Sequence, residues 1–191
     1  MKLKFYNKNL LICGCDEAGR GSLAGPVFAS AVILPKNFNH PLLDDSKKIS
    51  EKKRNILRQV IEKEAIAWSV AKTSPKRIDK INILNASIEA MHKSIKKINH
   101  KINLLLIDGN QFKHFKKLNH KCVIKGDAKY MSIASASILA KTHRDDYMKK
   151  INDDFPFYNW KKNKGYPTME HKLQIKKFGL SKYHRLTFKS T

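Results

Sequence analysis

The sequence predicts an α/β domain, a mixed sheet with helices on both faces. Three observations carry this. Two apolar runs, residues 10–16 and 26–34, stand close enough to form an antiparallel hairpin. A third run, "INLLLIDGN" at 102–110, is almost wholly apolar, as a strand covered on both faces must be. Between and after them, apolar residues recur at three- and four-residue steps, the spacing of amphipathic helices.

In chain order, "CGCDEAGRGSLAG" (13–25) ends the first strand in a glycine-rich turn, and "PVFASAVIL" (26–34) is the second strand. The segment 41–65 is a loop followed by a helix, with Ser50 as N-cap and Glu51 in its first turn. "AIAWSVAKTS" (65–74) alternates as a third strand does. Ser74-Pro75 then opens one long helix to residue 98, with Ile78, Ile81, Leu84, Ile88, Met91 and Ile95 on its apolar face. After the apolar strand, "KCVIKGDAK" (121–129) reads as a fifth strand ending near Asp127. "MSIASASILAKTHRDDYMKKI" (131–151) is a helix with a stripe of small residues that permits close packing. "YPTMEHKLQIKKFG" (166–179) is a last helix stopped at Gly179. The whole of 1–191 reads as one domain, with about 150–191 as a C-terminal helical extension that contributes to substrate binding.

Composition narrows the function. Of 191 residues, 39 are Lys or Arg and 16 are Asp or Glu, giving a formal net charge of +23. Such a field attracts polyanions, so nucleic acid is the leading partner. Only six of the basic residues are arginine, and lysine, isoleucine and asparagine are all abundant, a pattern that AT-rich coding also produces, so the charge alone identifies no reaction. No apolar run is long enough to span a membrane. The N-terminal apolar run leads straight into Asp16 and Glu17 and is read as a strand, not a signal peptide. Three cysteines make no disulfide framework, which fits a reducing, cytoplasmic setting. Cys13 and Cys15 read as small apolar residues on one strand face, not as half a zinc site.

With so few acids, each can be weighed. Glu51, Glu62, Glu64, Asp79 and Glu89 fall on helices, where solvated faces and the helix dipole account for them. Asp44 and Asp45 suit a turn; Asp153 and Asp154 suit a polar loop; Glu170 belongs to the last helix's first turn. Four acids resist that reading. Asp16 and Glu17 end one strand, Asp108 ends another, and Asp127 follows a Lys-Gly turn. Strand ends hold ligands in open α/β sheets, although acids there also serve turns. If the strands are neighbours, the carboxylates converge, and two unit charges about 4 Å apart repel by about 4 kcal/mol at an effective dielectric near 20. A divalent cation removes that cost. An all-oxygen donor set suits magnesium or manganese, and two such ions about 4 Å apart can serve both sides of a phosphate. No Walker loop or Ser-His-Asp spacing competes.

"CDEAGRGSLAGPV", "DDSKKIS", "INILNASIEAM", "IDGN", "KGDAKYMSIASASILAKTHRD", "NKGYPTMEHK" and "YHRLTF" resemble, in order and spacing, the motif series of bacterial ribonuclease HII, from about residue 11 to 188. Departures such as "IASAS" and "ILNAS" avoid the proposed chemistry. The sister family, ribonuclease HIII, normally carries an extra N-terminal domain, for which fifteen residues before Asp16 leave no room. The resemblance implies a ribonuclease H-like fold with a central mixed five-stranded sheet. It implies metal-dependent cleavage of the RNA strand of RNA–DNA hybrids, and cutting 5′ of single ribonucleotides in duplex DNA that leaves 5′-phosphate and 3′-hydroxyl ends. Its four carboxylates fall on Asp16, Glu17, Asp108 and Asp127, as catalytic residues and ligands of Mg2+ or Mn2+. Its substrate-binding positions fall on Gly19, Arg20 and Gly21, and its ribose-reading tyrosine on Tyr166. Ser135, Ser137 and Lys141 match a family block, the serines equally well as packing residues. Asp145 is placed behind the ligating carboxylates, and Lys47 and Lys48 face phosphate or solvent. The expected protein is a cytoplasmic monomer that binds hybrids and ribonucleotide-containing DNA. The rivals are a non-catalytic nucleic-acid-binding module and a DNA nuclease on the same fold.

Overall fold

The computed structural model describes residues 3–44 and 49–189; Asp45, Lys47 and Lys48 lie outside the described residues. The strands are β1 (Ile12–Ala18), β2 (Val27–Ile33), β3 (Ala67–Thr73), β4 (Leu104–Asp108) and β5 (His120–Val123). They form one sheet in the order β3-β2-β1-β4-β5. The β1–β2 hairpin and the β2–β3 pair are antiparallel, while β1, β4 and β5 run parallel. The sheet is mixed, as expected, because the glycine turn makes a hairpin while the later strands return through helical crossovers.

Helices cover both faces. On one, α2 (Pro75–Ile81) and α3 (Ile83–Lys97) seat Ile78, Ala90, Met91 and Ile95 against Cys13, Cys15, Ala29, Ala31, Leu105 and Ile107. The two cysteine sulfurs lie 3.9 Å apart in this core, as the apolar reading of the pair requires. On the other, α1 (Glu51–Glu64) and α4 (Met131–Asn152) bring Leu57, Ile61, Ala136 and Leu139 onto Val32 and Leu34. The small-residue stripe of α4 does what its composition implies. A Cβ placed on Gly14 of β1 would stand 2.2 Å from the Ser132 carbonyl carbon, so helix backbone rests directly on the strand.

The caps follow the local sequence. Ser50 accepts from Lys53 N–H, Ser74 from Arg77 N–H, and Thr168 from His171 N–H at the start of α6 (Met169–Phe178), which Gly179 ends with φ 77°. Two expectations need correction. The helix expected over 75–98 is two helices, because Asn82 turns the chain at φ 65° and its side chain accepts from Asn85 N–H, capping α3 anew. The fifth strand stops at Val123. Lys125 adopts a left-handed φ of 54°, and Asp127 falls in the 3-10 turn Gly126–Ala128. A short helix α5 (Trp160–Asn163) and a 3-10 turn Pro156–Tyr158 complete the C-terminal part.

Nor is Asp79 merely solvated. It accepts from Leu186 N–H and Thr187 N–H, both at 3.0 Å, and from Thr187 Oγ1–H at 2.7 Å, fastening the C-terminal strap to α2. Partial burial alone would raise its pKa, but those bonds outweigh it and hold the carboxyl below its usual value. A group depressed in the folded state stabilises fully above its unfolded pKa and loses that contribution as pH falls through the folded one. Below about pH 4, therefore, the strap should loosen first. Hydrogen exchange at Leu186 and Thr187, corrected for intrinsic rates, is expected to lose protection between pH 6 and pH 3 before the sheet does. Protection that persists unchanged would remove this role.

Candidate active site

The parallel register sets the first pair of acids. Cys15 stands opposite Ile107, so the next residues, Asp108 at the end of β4 and Asp16 in β1, stand side by side; the hairpin pairing carries β1 on through Glu17 to Ala18, past the end expected for it. Side chains alternate across a sheet. Asp16 and Asp108 therefore share the α4 face with Gly14 and Leu106, and Glu17 takes the α3 face. Asp16 is buried and accepts from Glu17 N–H at 2.7 Å, and the Ser137 hydroxyl of α4 also bonds it. Burial pushes its pKa well above the usual carboxylate value, and the negative charges of Glu17 and Asp108 push further. Burial raises Glu17 too, partly offset by Arg20, whose guanidinium donates to Oε1 at 3.1 Å. The other oxygen, Oε2, is buried with no hydrogen-bond partner.

Asp108 accepts from Gly126 N–H at 2.7 Å, which seats the turn carrying Asp127 beside the end of β4. Asp127 is buried there. Asp16, Glu17 and Asp108 border a cleft of about 320 Å³ whose other walls include Gly19, Arg20, Gly21, Ser137, Lys141 and Tyr166. A second, smaller cleft of about 120 Å³ runs on past Glu17, Arg20 and Asp108 toward Ser87 and Met91 of α3. Asp127 lines neither cleft. Asp145, one turn beyond Lys141 on α4, is buried and does not line them either. Its charge acts on Arg144 and Lys149, while its neighbour Asp146 pairs directly with Arg58 of α1.

The structure thus brings together the Asp16, Glu17 and Asp108 carboxylates with the glycine turn and Tyr166, and sets Asp127 one residue from the Asp108 contact. Among the described residues no three His, Cys, Asp or Glu side chains form a ready-made metal cluster. The donor chemistry nevertheless fits a hard divalent cation: three neighbouring carboxylates that repel one another, and one buried oxygen left unpaired.

The glycine turn and Tyr166 approach through main-chain pairing. Leu23 N–H and Ala24 N–H donate to the Gly165 carbonyl, next to Tyr166, at 2.8 and 3.3 Å. Gly19 has φ +92°, and a Cβ there would lie 2.0 Å from Arg144 Nε, so only glycine fits. Gly21 differs, since a Cβ on it would meet nothing within 4 Å and the room it leaves opens into the cleft. The Tyr166 ring lies 5.4 Å above the Arg144 guanidinium.

Sequence reasoning assigned no role at the site to three residues that the structure places there. Ser137 reads equally well as packing. Arg144 and Arg185 carry no motif chemistry of their own, yet both are fully buried against the glycine turn. One signal pointed to them. In a chain so rich in lysine, each of the six arginines makes a hydrogen bond, the pattern expected where a planar fork is needed and a point charge will not serve.

The family model described as ribonuclease HII matches residues 13–191. A ribonuclease HII of Christiangramia forsetii is 57% identical over 98% of this chain and 94% of its own length. The ribonuclease H2 crystal structure from Pyrococcus horikoshii superposes with a TM-score of 0.76 at 22% identity, covering 94% of each chain. Bst ribonuclease HIII, solved in complex with Mn2+, gives 0.74 at 15% identity, covering 95% of this chain and 68% of that one.

Proposed function

This chain belongs to the ribonuclease HII family and is an endoribonuclease acting on the RNA of RNA–DNA hybrids, and from that premise we propose that it is metal-dependent and also cuts 5′ of single ribonucleotides in duplex DNA. The products are a 5′-phosphate and a 3′-hydroxyl. The observation that carries the reading is the mutually repelling set of buried Asp16 and half-buried Glu17 and Asp108 on one side of a cleft that also holds the glycine turn and Tyr166.

In this reading Asp16, Glu17 and Asp108, with Asp127 completing the set, would hold two ions of Mg2+ or Mn2+. When bound, these would supply charge neutralisation and Lewis acidity at the scissile phosphate. A ribonuclease HIII of the same fold was solved with Mn2+, which is consistent with the donor set here. The remaining steps belong to the chain. Ser137 and the Glu17 N–H hold Asp16 in place. Lys141 and Arg20 face the phosphates with positive charge. Gly21 leaves the space through which a sugar edge reaches the backbone. Tyr166 presents its hydroxyl to the 2′-oxygen, the one group that separates RNA from DNA at a given position. Catalysis is then mostly positioning and electrostatics.

The test is three labelled duplexes, with magnesium and with chelator: an RNA–DNA hybrid, a DNA duplex with one ribonucleotide, and an all-DNA duplex. Cleavage of the first two is expected, only with the divalent ion, and none of the third. A cut all-DNA duplex would favour the DNA-nuclease rival, and binding without any cleavage the non-catalytic one. Tyr166→Phe is expected to lower kcat/KM at the lone ribonucleotide by about 10- to 100-fold, the worth of one hydrogen bond in a dry site. Its affinity for all-DNA duplex should not change. Equal losses on both measurements would take the ribose away from Tyr166.

A further inference from the structure

The turn between β1 and β2 has an uneven hydrogen-bond inventory. Six of its eight carbonyls, those of Gly21 and Ser22 excepted, are taken from inside the protein. Arg185 donates to Gly19 O at 2.6 Å, Arg20 O at 2.7 Å and Gly25 O at 2.9 and 3.0 Å. Arg144 donates to Ala24 O and Pro26 O, both at 3.2 Å, and to Ser22 Oγ at 2.8 Å. Leu23 O accepts from Arg185 N–H at 2.9 Å. The N–H groups of Leu23, Ala24 and Gly25 are likewise consumed, by Gly165 and Tyr183 carbonyls. The N–H groups of Arg20 and Gly21, at the tip, donate to nothing among the described residues. With carbonyls drawn inward and these two N–H groups left at the cleft, the tip presents the partial positive charge that receives oxyanions and hydroxyl oxygens.

We propose that Arg185, backed by Arg144, is the positioning residue that sets this ribose- and phosphate-reading face of the turn. The inference rests on the function proposed above and deepens it, because it names what gives the turn its selectivity for a ribonucleotide. Two features go beyond ordinary packing. First, both guanidinium groups are fully buried and hydrogen-bond no carboxylate among the described residues, feeling Asp145 and Asp79 only as nearby charges, an expensive state for two neighbouring cations. Burial and the charge of Arg144 push Arg185 down to about 9. Apolar side chains would fill the volume more cheaply, but five donors in a fixed fork can gather three carbonyls at once. Second, Arg185 sits on a strap that is itself anchored. Asp79 holds Leu186 and Thr187, and His184 lies in a buried cluster with His171 and Trp160. His171 Nδ1 is 2.9 Å from the Tyr166 carbonyl, so the strap and the tyrosine loop share one support.

The experiment uses Arg185→Lys, which keeps charge but cannot reach three carbonyls, and Arg185→Met, which keeps volume. KM and kcat are measured on the single-ribonucleotide duplex and on the hybrid, with affinity for all-DNA duplex and thermal unfolding alongside. A lone ribonucleotide offers one 2′-hydroxyl in one register, whereas a hybrid offers one at every position. Arg185→Lys is therefore expected to raise KM at the lone ribonucleotide about tenfold, and on the hybrid no more than about threefold, with kcat and all-DNA affinity nearly unchanged. Should Arg185→Met fail to fold, Arg185→Lys alone decides. Equal losses on both substrates, or none, overturn the proposal and leave only a structural staple. If the parent enzyme does not cut at a lone ribonucleotide, the proposed function falls and this inference with it. If it does, and the substrate ratio is unmoved in Arg185→Lys, only the inference falls.

Discussion

Asp108→Asn is expected to lower hydrolysis of an RNA–DNA hybrid by about a thousandfold, equivalent to about 4 kcal/mol of lost transition-state stabilisation, while hybrid binding stays within a fewfold of the parent. The substitution is nearly isosteric. Asn Oδ1 can still accept from Gly126 N–H, so the turn carrying Asp127 keeps its seat. What disappears is one negative charge beside Asp16 and Glu17, both of which Asp108 pushes up. In the apo protein that relief is favourable, and with chelator present the variant should unfold no earlier than the parent. A site that is less active and no less stable is the signature of carboxylates kept together for chemistry and not for folding. Single-turnover rates, an equilibrium binding titration and a thermal melt check the three parts. Parental cleavage by the variant would mean that the site is misassigned.

Gly14→Ala has the largest expected effect on stability. The added Cβ would stand 2.2, 2.4 and 2.6 Å from Ser132 C, Ser132 O and Ile133 N, all backbone of α4. Neither partner can give way easily. Gly14 pairs with Val32 on one side and Leu106 on the other, in the central strand. The segment of α4 above it is buried from Ser132 through Ala140. Overpacking against backbone, with no flexible side chain to move, should cost about 3 kcal/mol or more, lowering Tm by about 6–12 °C for a chain of this size. Function should suffer as well, because α4 carries Ser137 to Asp16 and Lys141 to the cleft. An unchanged Tm in calorimetry would show that α4 does not rest on β1 at this point.

Which of these features the sequence reveals depends on how far apart the partners lie. The caps at Ser50 and Ser74 act within three residues, and the structure keeps both. The hairpin joins runs ten residues apart, and the apolar strand before Asp108 is buried as its composition demands. The acids that no helix face explained, Asp16, Glu17 and Asp108, do meet at one end of the sheet. Asn82 breaks a periodic helix because its own side chain offers the backbone a competing cap, a local effect that periodicity does not weigh. Asp79 looked like an ordinary helical acid, and its partners lie 107 and 108 residues further on.

By itself, the sequence determined the five strands, most of the helical segments, the polyanion-seeking charge and the acid that ends β4. Each follows from short-range periodicity or from composition, which act along the chain. Only the tertiary structure decided that Gly14 must lack a side chain, that Ser137 holds Asp16, and that Arg144 and Arg185 gather the carbonyls of a turn more than a hundred residues away. Those roles arise where distant backbone is pressed into one volume and must satisfy its polar groups there, a demand that no local pattern records.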